Sequence, residues 1–270
     1  MNKSTLTSSI FNKGSYLCVG LDPDLDKIPE RFLKDKDPIT SFNQKVIEAT
    51  KDYSVAYKLN LAFYESLGRK GWEALERTTD LIPDEHFTIA DAKRGDIGNT
   101  AQKYAKVFFE EFSFDAVTLS PYMGEDSISP FLEYQGKWVI ILGLTSNAGA
   151  NDFQLLSCPD KPLYQQVIET SAQWGSESNT MYVVGATQMD YLKHIRSIIP
   201  DHFLLVPGIG AQAGSLKEVS EQLLNKEGGI LVNIGRDIIF AGSGDDFEEK
   251  VKQKAERYQH LMENYLKFFH

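Results

Sequence analysis

The chain is short of cysteine, of histidine and of long apolar stretches, and it carries no excess of basic charge. Two cysteines in 270 residues, Cys18 in an apolar run and Cys158 in a polar loop, supply neither a disulfide framework nor a zinc spacing. The five histidines, His86, His194, His202, His260 and His270, fall on loops or helix surfaces without ligand spacing, so their roles are read as solvated or structural. No stretch approaches the roughly 20 apolar residues that cross a bilayer, and the opening MNKSTLTSSIFNKGSYLCVG lacks the apolar core and cleavage site of a signal peptide. A cytoplasmic protein is expected. With 28 Lys and Arg against 38 Asp and Glu, the formal charge of −10 argues against nucleic acid and anionic membranes as partners. Any anionic ligand must be held by a few local cations.

What is there is regular. The chain is 42% hydrophobic and 24% charged, the proportions of a globular protein. Eight short Val/Ile/Leu-rich runs recur, at 16–22, 55–60, 87–93, 115–120, 137–146, 181–186, 203–209 and 230–235. Their near-continuous hydrophobicity suits parallel strands buried on both faces. Helical periodicity fills the gaps, at 41–53, 61–80, 98–112, 163–174 and 214–226, and an amphipathic, highly charged segment closes the chain at 246–269. Residues 147–180 read as a long mobile loop plus a helix. Strand and helix alternating eight times predict an α/β protein, a (β/α)8 TIM barrel spanning 1–270 as a single domain; a doubly wound open sheet is the structural rival. Trp72, Trp138 and Trp174 read as packing residues.

In such a barrel the site forms at the C-terminal ends of the strands, so polar residues there need a reason other than packing. The first run ends in Asp22, the second in Lys58 and Asn60, the third in Asp91 and Lys93, and the fifth in Thr145, Ser146 and Asn147. Alternation puts Asp91 and Lys93 on one face of their strand, with Asp96 following on the loop. The D-A-K-R-G-D string is then an anion-cation-anion array. Flanking carboxylates keep such an ammonium charged, which makes it a poor nucleophile but suits it to stabilising negative charge on carbon and then donating a proton. A surface salt-bridge cluster is the alternative explanation. Near the chain's end, P-G-I-G-A-Q-A-G at 207–214 and N-I-G-R-D-I at 233–238 combine close-approach glycines with a guanidinium, a pattern suited to phosphate. Tight turns with a solvated Arg236 are the alternative there.

Six segments in order, V-G-L-D-P at 19–23, K-L-N-L-A-F-Y-E at 58–65, D-A-K-R-G-D-I-G-N-T-A at 91–101, T-S-N at 145–147, P-G-I-G-A-Q at 207–212 and G-R at 235–236, resemble the orotidine 5'-monophosphate decarboxylase family, in particular a bacterial subgroup. The second segment reads K-L-N where many members carry K-P-N. The resemblance implies a barrel that needs neither metal nor cofactor and converts orotidine 5'-monophosphate to uridine 5'-monophosphate and CO2. It implies that Asp22 and Lys58 bind ribose hydroxyls and that Asp91, Lys93 and Asp96 surround the reacting carbon, with Lys93 as the acid. It further implies a homodimer in which Asp96 and Thr100 come from the neighbouring subunit. Ser146 would meet the pyrimidine edge, Gln212 would link phosphate to loop closure, and Gly235 with Arg236 would bind the phosphate. Three rivals stay open: a metal-dependent sugar-phosphate decarboxylase or aldolase-type barrel, a lysine-imine aldolase, and a non-catalytic nucleotide-phosphate sensor.

Overall fold

A computed structural model of the chain describes residues 1–210 and 214–269. Eight parallel strands run in sequence order and close on themselves: β1 (Leu17–Gly20), β2 (Ala56–Asn60), β3 (Phe87–Arg94), β4 (Ala116–Leu119), β5 (Trp138–Leu144), β6 (Thr180–Val184), β7 (Phe203–Pro207) and β8 (Ile230–Ile234). β1 pairs with both β2 and β8, which leaves no sheet edge. This is the (β/α)8 barrel that the alternation of apolar runs and helices predicts. Nearly every strand residue is buried because helices cover the outside and side chains fill the inside. Outside the barrel, helix Pro38–Thr50 starts with the Asp37 side chain accepting from Thr40 N–H and lays Ile39, Phe42, Val46 and Ile47 against the core.

Three segments differ from the periodicity reading. The helix expected over 61–80 is two helices, Ala62–Glu65 and Arg69–Leu81, separated at Gly68, whose φ of 57° lies where glycine is favoured. The helix expected over 98–112 is α-helical only through Lys106 and finishes as a π-helical turn, Val107–Glu111. The loop expected after β5 contains a short helix, Ala150–Phe153, ahead of Leu163–Ser171.

The opening residues, which carry no strand pattern, form a helix Lys3–Lys13 whose start is capped by Asn2. It closes the N-terminal end of the barrel. The Met1 ammonium pairs with Asp115 just before β4, and Met1 O accepts from the Trp138 indole at the start of β5, 2.9 Å away. Lys13 reaches the Lys51 and Ser54 carbonyls and the His86 ring, just ahead of β2 and β3.

Candidate active site

A cavity of about 270 Å³ opens at the C-terminal ends of the strands. Its charged wall comes from β1 to β3 (Asp22, Lys58, Asp91, Lys93), and its opposite end from the turns after β7 and β8 (Gly208, Gly235, Arg236). Ser146, at the end of β5, also lines it. Seven of the ten residues to which the resemblance gives a role therefore meet in one place: Asp22, Lys58, Asp91, Lys93, Ser146, Gly235 and Arg236.

Lys58, 4% exposed, is the hub. Its Nζ lies 2.9 Å from Asp91 Oδ2 and 3.6 Å from Asp22 Oδ1. Burial disfavours the ammonium, but the two carboxylates outweigh burial and raise its pKa well above the usual lysine value. Asp91 mirrors this: burial opposes its charge, and Lys58 and Lys93 overcome that opposition and hold the carboxyl far below its ordinary 3.8. Lys93 Nζ sits 2.5 Å from Asp91 Oδ1, and half of its side chain remains open to the cavity side. Asp22 Oδ1 is buried and has no hydrogen-bond partner among the described residues; it faces the Lys58 ammonium at ion-pair distance.

The backbone under this array is irregular. Ala90 pairs with Val117 and Arg94 with Leu119, so residues 91–93 of β3 bulge opposite the single residue Thr118 of β4. Within the bulge Lys93 adopts φ 48°, a left-handed conformation that non-glycine residues rarely take and that clusters at functional sites. Thr118 holds it there: its buried hydroxyl accepts from Lys93 N–H at 2.9 Å and donates to Asp91 Oδ1 at 3.0 Å. The sequence reading missed Thr118, because a threonine within an apolar strand reads only as strand propensity. It also passed over Asn233 and Asp237, which line the cavity on either side of Gly235.

Two expected residues stand apart from the cavity. Asp96 accepts from Ile97 N–H at 2.8 Å on the loop after β3, and Thr100 is exposed on the helix Gly98–Lys106. Neither lines this chain's own cavity. Gln212 lies outside the described residues. Among the described residues no group of three His, Cys, Asp or Glu side chains is placed to hold a metal ion.

Fold and cavity together define the class: a (β/α)8 barrel with a lysine–aspartate array facing a glycine–arginine turn across its C-terminal mouth. Comparison with known proteins makes the assignment specific. The model of the orotidine 5'-phosphate decarboxylase / HUMPS family matches residues 15–251, and the chain belongs to that family. The chain is 54% identical over 265 residues to orotidine 5'-phosphate decarboxylase of Christiangramia forsetii, covering 97% of each. Among solved structures, it is similar to Leishmania donovani OMP decarboxylase at 35% identity and a TM-score of 0.83, covering 98% of this chain and all of that one. Leishmania donovani UMP synthase is similar at 37% identity and a TM-score of 0.83, but there the match spans 94% of this chain and only 56% of the longer one.

Proposed function

We propose that the chain, as one barrel domain over residues 1–270, is a cytoplasmic carboxy-lyase that decarboxylates orotidine 5'-monophosphate to uridine 5'-monophosphate in pyrimidine biosynthesis. The observation that carries this reading is the chain of contacts Lys58–Asp91–Lys93, at 2.9 and 2.5 Å, beside a cavity whose far end offers Gly235 and Arg236. The names of the relatives agree with it.

In this reading the phosphate binds at Gly235 and Arg236 with help from Gln212, ribose hydroxyls meet Asp22 and Lys58, and Ser146 meets the pyrimidine. The substrate carboxylate then lies near Asp91, whose depressed pKa keeps it anionic, so like-charge repulsion raises the ground state. The C6–carboxylate bond breaks, CO2 leaves, and the electron pair stays on C6. The Lys93 ammonium stabilises that carbanion and donates its proton to C6; the neutral amine is reprotonated from solvent. Remote phosphate contacts organise the array before reaction. No cofactor is required.

Asp96 and Thr100 act on the neighbouring site of a homodimer. Their absence from the lining of this chain's cavity and the exposure of Ile97 (47%) beside them support that arrangement. A metal-dependent sugar-phosphate reaction is disfavoured because the Lys58 ammonium already occupies the position between Asp22 and Asp91 that a divalent cation would take. An imine mechanism needs a neutral amine, which the carboxylates around Lys58 oppose.

The test is loss of the ultraviolet absorbance of orotidine 5'-monophosphate on incubation with the purified protein, with turnover unchanged by EDTA. Activity that disappears with chelator sends the assignment to the metal-dependent rival. No turnover despite tight nucleotide binding sends it to the sensor. Mixing Lys93→Ala and Asp96→Ala proteins under subunit exchange tests the shared site: partial recovery of activity is expected, and none despite demonstrated exchange puts Asp96 in its own subunit's site.

A further inference from the structure

A carboxylate at the phosphate end of a pocket is an oddity, because it repels the anion it faces. Asp237 lines the cavity directly after Arg236, yet nothing in the reaction proposed above uses it. Its carboxylate is instead turned to account from behind. Both oxygens lie 3.1 Å from Lys254 Nζ, and Oδ2 accepts from the Tyr258 hydroxyl at 2.8 Å. Lys254 and Tyr258 are one turn apart on the long helix Phe247–Leu266, which packs along the barrel's outer face. Burial and then Asp237 itself push the Tyr258 phenol well above its usual value, so it remains a donor at any working pH.

The third element of the contact is the turn after β7. Gly210 has φ 84°, and its Cα side faces this cluster so closely that an added Cβ would meet Asp237 Cβ at 3.2 Å and the Tyr258 hydroxyl at 3.3 Å. Gly208 and Gly210 belong to the glycine turn on one side of the phosphate end; Gly235 and Arg236 form the other. Asp237 fastens the turn after β8 to an outer helix, and the turn after β7 lies against that fastening at Gly210.

We propose that Asp237, held by Lys254 and Tyr258, is a positioning residue that fixes the two phosphate-facing turns against the C-terminal helix, and that Lys254 also neutralises it toward the bound phosphate. This rests on the assignment of that end of the pocket to phosphate. It predicts a particular pattern. Asp237→Ala loosens both turns and raises KM for orotidine 5'-monophosphate about tenfold while kcat stays within about twofold, the signature of lost uniform binding. Lys254→Ala leaves the carboxylate uncompensated and raises KM further. The double variant Asp237→Ala/Lys254→Ala returns to the level of Asp237→Ala, because the repelling charge is gone. Lys254→Arg restores most of the affinity.

The decisive readout is calorimetric binding of inorganic phosphate, of uridine 5'-monophosphate and of uridine to the full chain and these variants, with thermal melting to confirm folding and Asp237→Asn as a shape-conserving second variant. Weakened binding of phosphate and the monophosphate, with uridine unaffected, supports the proposal. Unchanged phosphate affinity in Asp237→Ala and Asp237→Asn overturns it, as does an equal loss for uridine, which marks a general structural defect. Wild-type protein that binds phosphate but does not decarboxylate overturns the reaction proposed above and leaves the role of Asp237 to be judged by the binding series alone.

Discussion

Each mouth of the barrel holds a lysine drawn out of water, half-buried Lys13 at one and buried Lys58 at the other, and the two are built in opposite ways. At the N-terminal mouth, Lys13 donates to neutral acceptors, the Lys51 carbonyl at 2.8 Å and the Ser54 carbonyl at 2.9 Å, with His86 Nε2 alongside at 3.0 Å. At the C-terminal mouth, Lys58 sits between two carboxylates. Burial lowers the pKa of Lys13 because the distant Glu85 and Asp52 do not repay its cost, whereas Asp22 and Asp91 more than repay it for Lys58. The first arrangement joins a helix to a barrel and lines no part of the cavity. The second leaves a charge facing a cavity, through the half-open Lys93. A buried charge becomes functional where its neighbours keep it ionised without using it up.

The sharpest way to break this contrast is to remove an ammonium from each end. Lys93→Ala is expected to cut kcat at least about 10³-fold, as loss of a proton donor and of charge stabilisation together demand, with nucleotide affinity changed far less. Lys13→Met should leave kcat untouched. Comparable losses from both would erase the distinction.

Stability should separate the ends as well. Lys58→Met takes the cation from Asp22 and leaves buried Asp91 with Lys93 alone, and should cost about 3 kcal/mol by denaturant unfolding, part of it regained in the double variant Lys58→Met/Asp91→Leu. Lys13→Met forfeits hydrogen bonds to neutral partners and should cost about 1–3 kcal/mol.

Arg236→Ala should raise KM by about 10- to 100-fold, the worth of a charge-assisted contact of about 1.5–3 kcal/mol, with a smaller effect on kcat. The loss should vanish for the phosphate-free nucleoside.

The smallest effect is a pH dependence. Burial, with the Lys13 ammonium alongside, lowers the His86 pKa from its ordinary 6.5, so the folded state favours the neutral ring. The stability this gives is intact above 6.5 and is lost as pH falls through the depressed folded value. Asp91 likewise contributes stability that is present above 3.8 and lost only as pH falls toward its much lower folded value. Burial lowers the His202 pKa in the same way, so melting temperature followed downward from pH 7 should show a step from these two histidines before any from the site, and His86→Gln should shrink that first step while His202 keeps the rest.

The same contrast explains what was legible in the sequence. Residues of the site lie at strand ends, where Asp22, Lys58, Asp91 and Lys93 interrupt apolar runs and so declare themselves. The eight runs themselves gave the barrel, with strand limits differing by a few residues at the C-terminal ends of β1, β5, β6 and β7. Helix Lys3–Lys13 was illegible because only Leu6 and Ile10 of it are buried, too few for a recognisable stripe. Thr118 was illegible because its role exists only opposite a bulge in another strand, and Asp237 because its partners lie 17 and 21 residues further along the chain. Pairings of this kind depend on tertiary register, which local pattern does not carry. The break at Gly68 had a signal, a glycine inside a helical period, but periodicity on both sides of it overrode that signal.

The central claim is that the Lys93 ammonium, held by Asp91, faces the carbon that loses CO2. A crystal structure with bound uridine 5'-monophosphate tests it directly. The account predicts Lys93 Nζ roughly 3 Å from C6, within proton-transfer reach, while the phosphate lies on Gly235 and Arg236. A nucleotide bound with C6 turned from Lys93, or with its phosphate at the lysine–aspartate end, would contradict it.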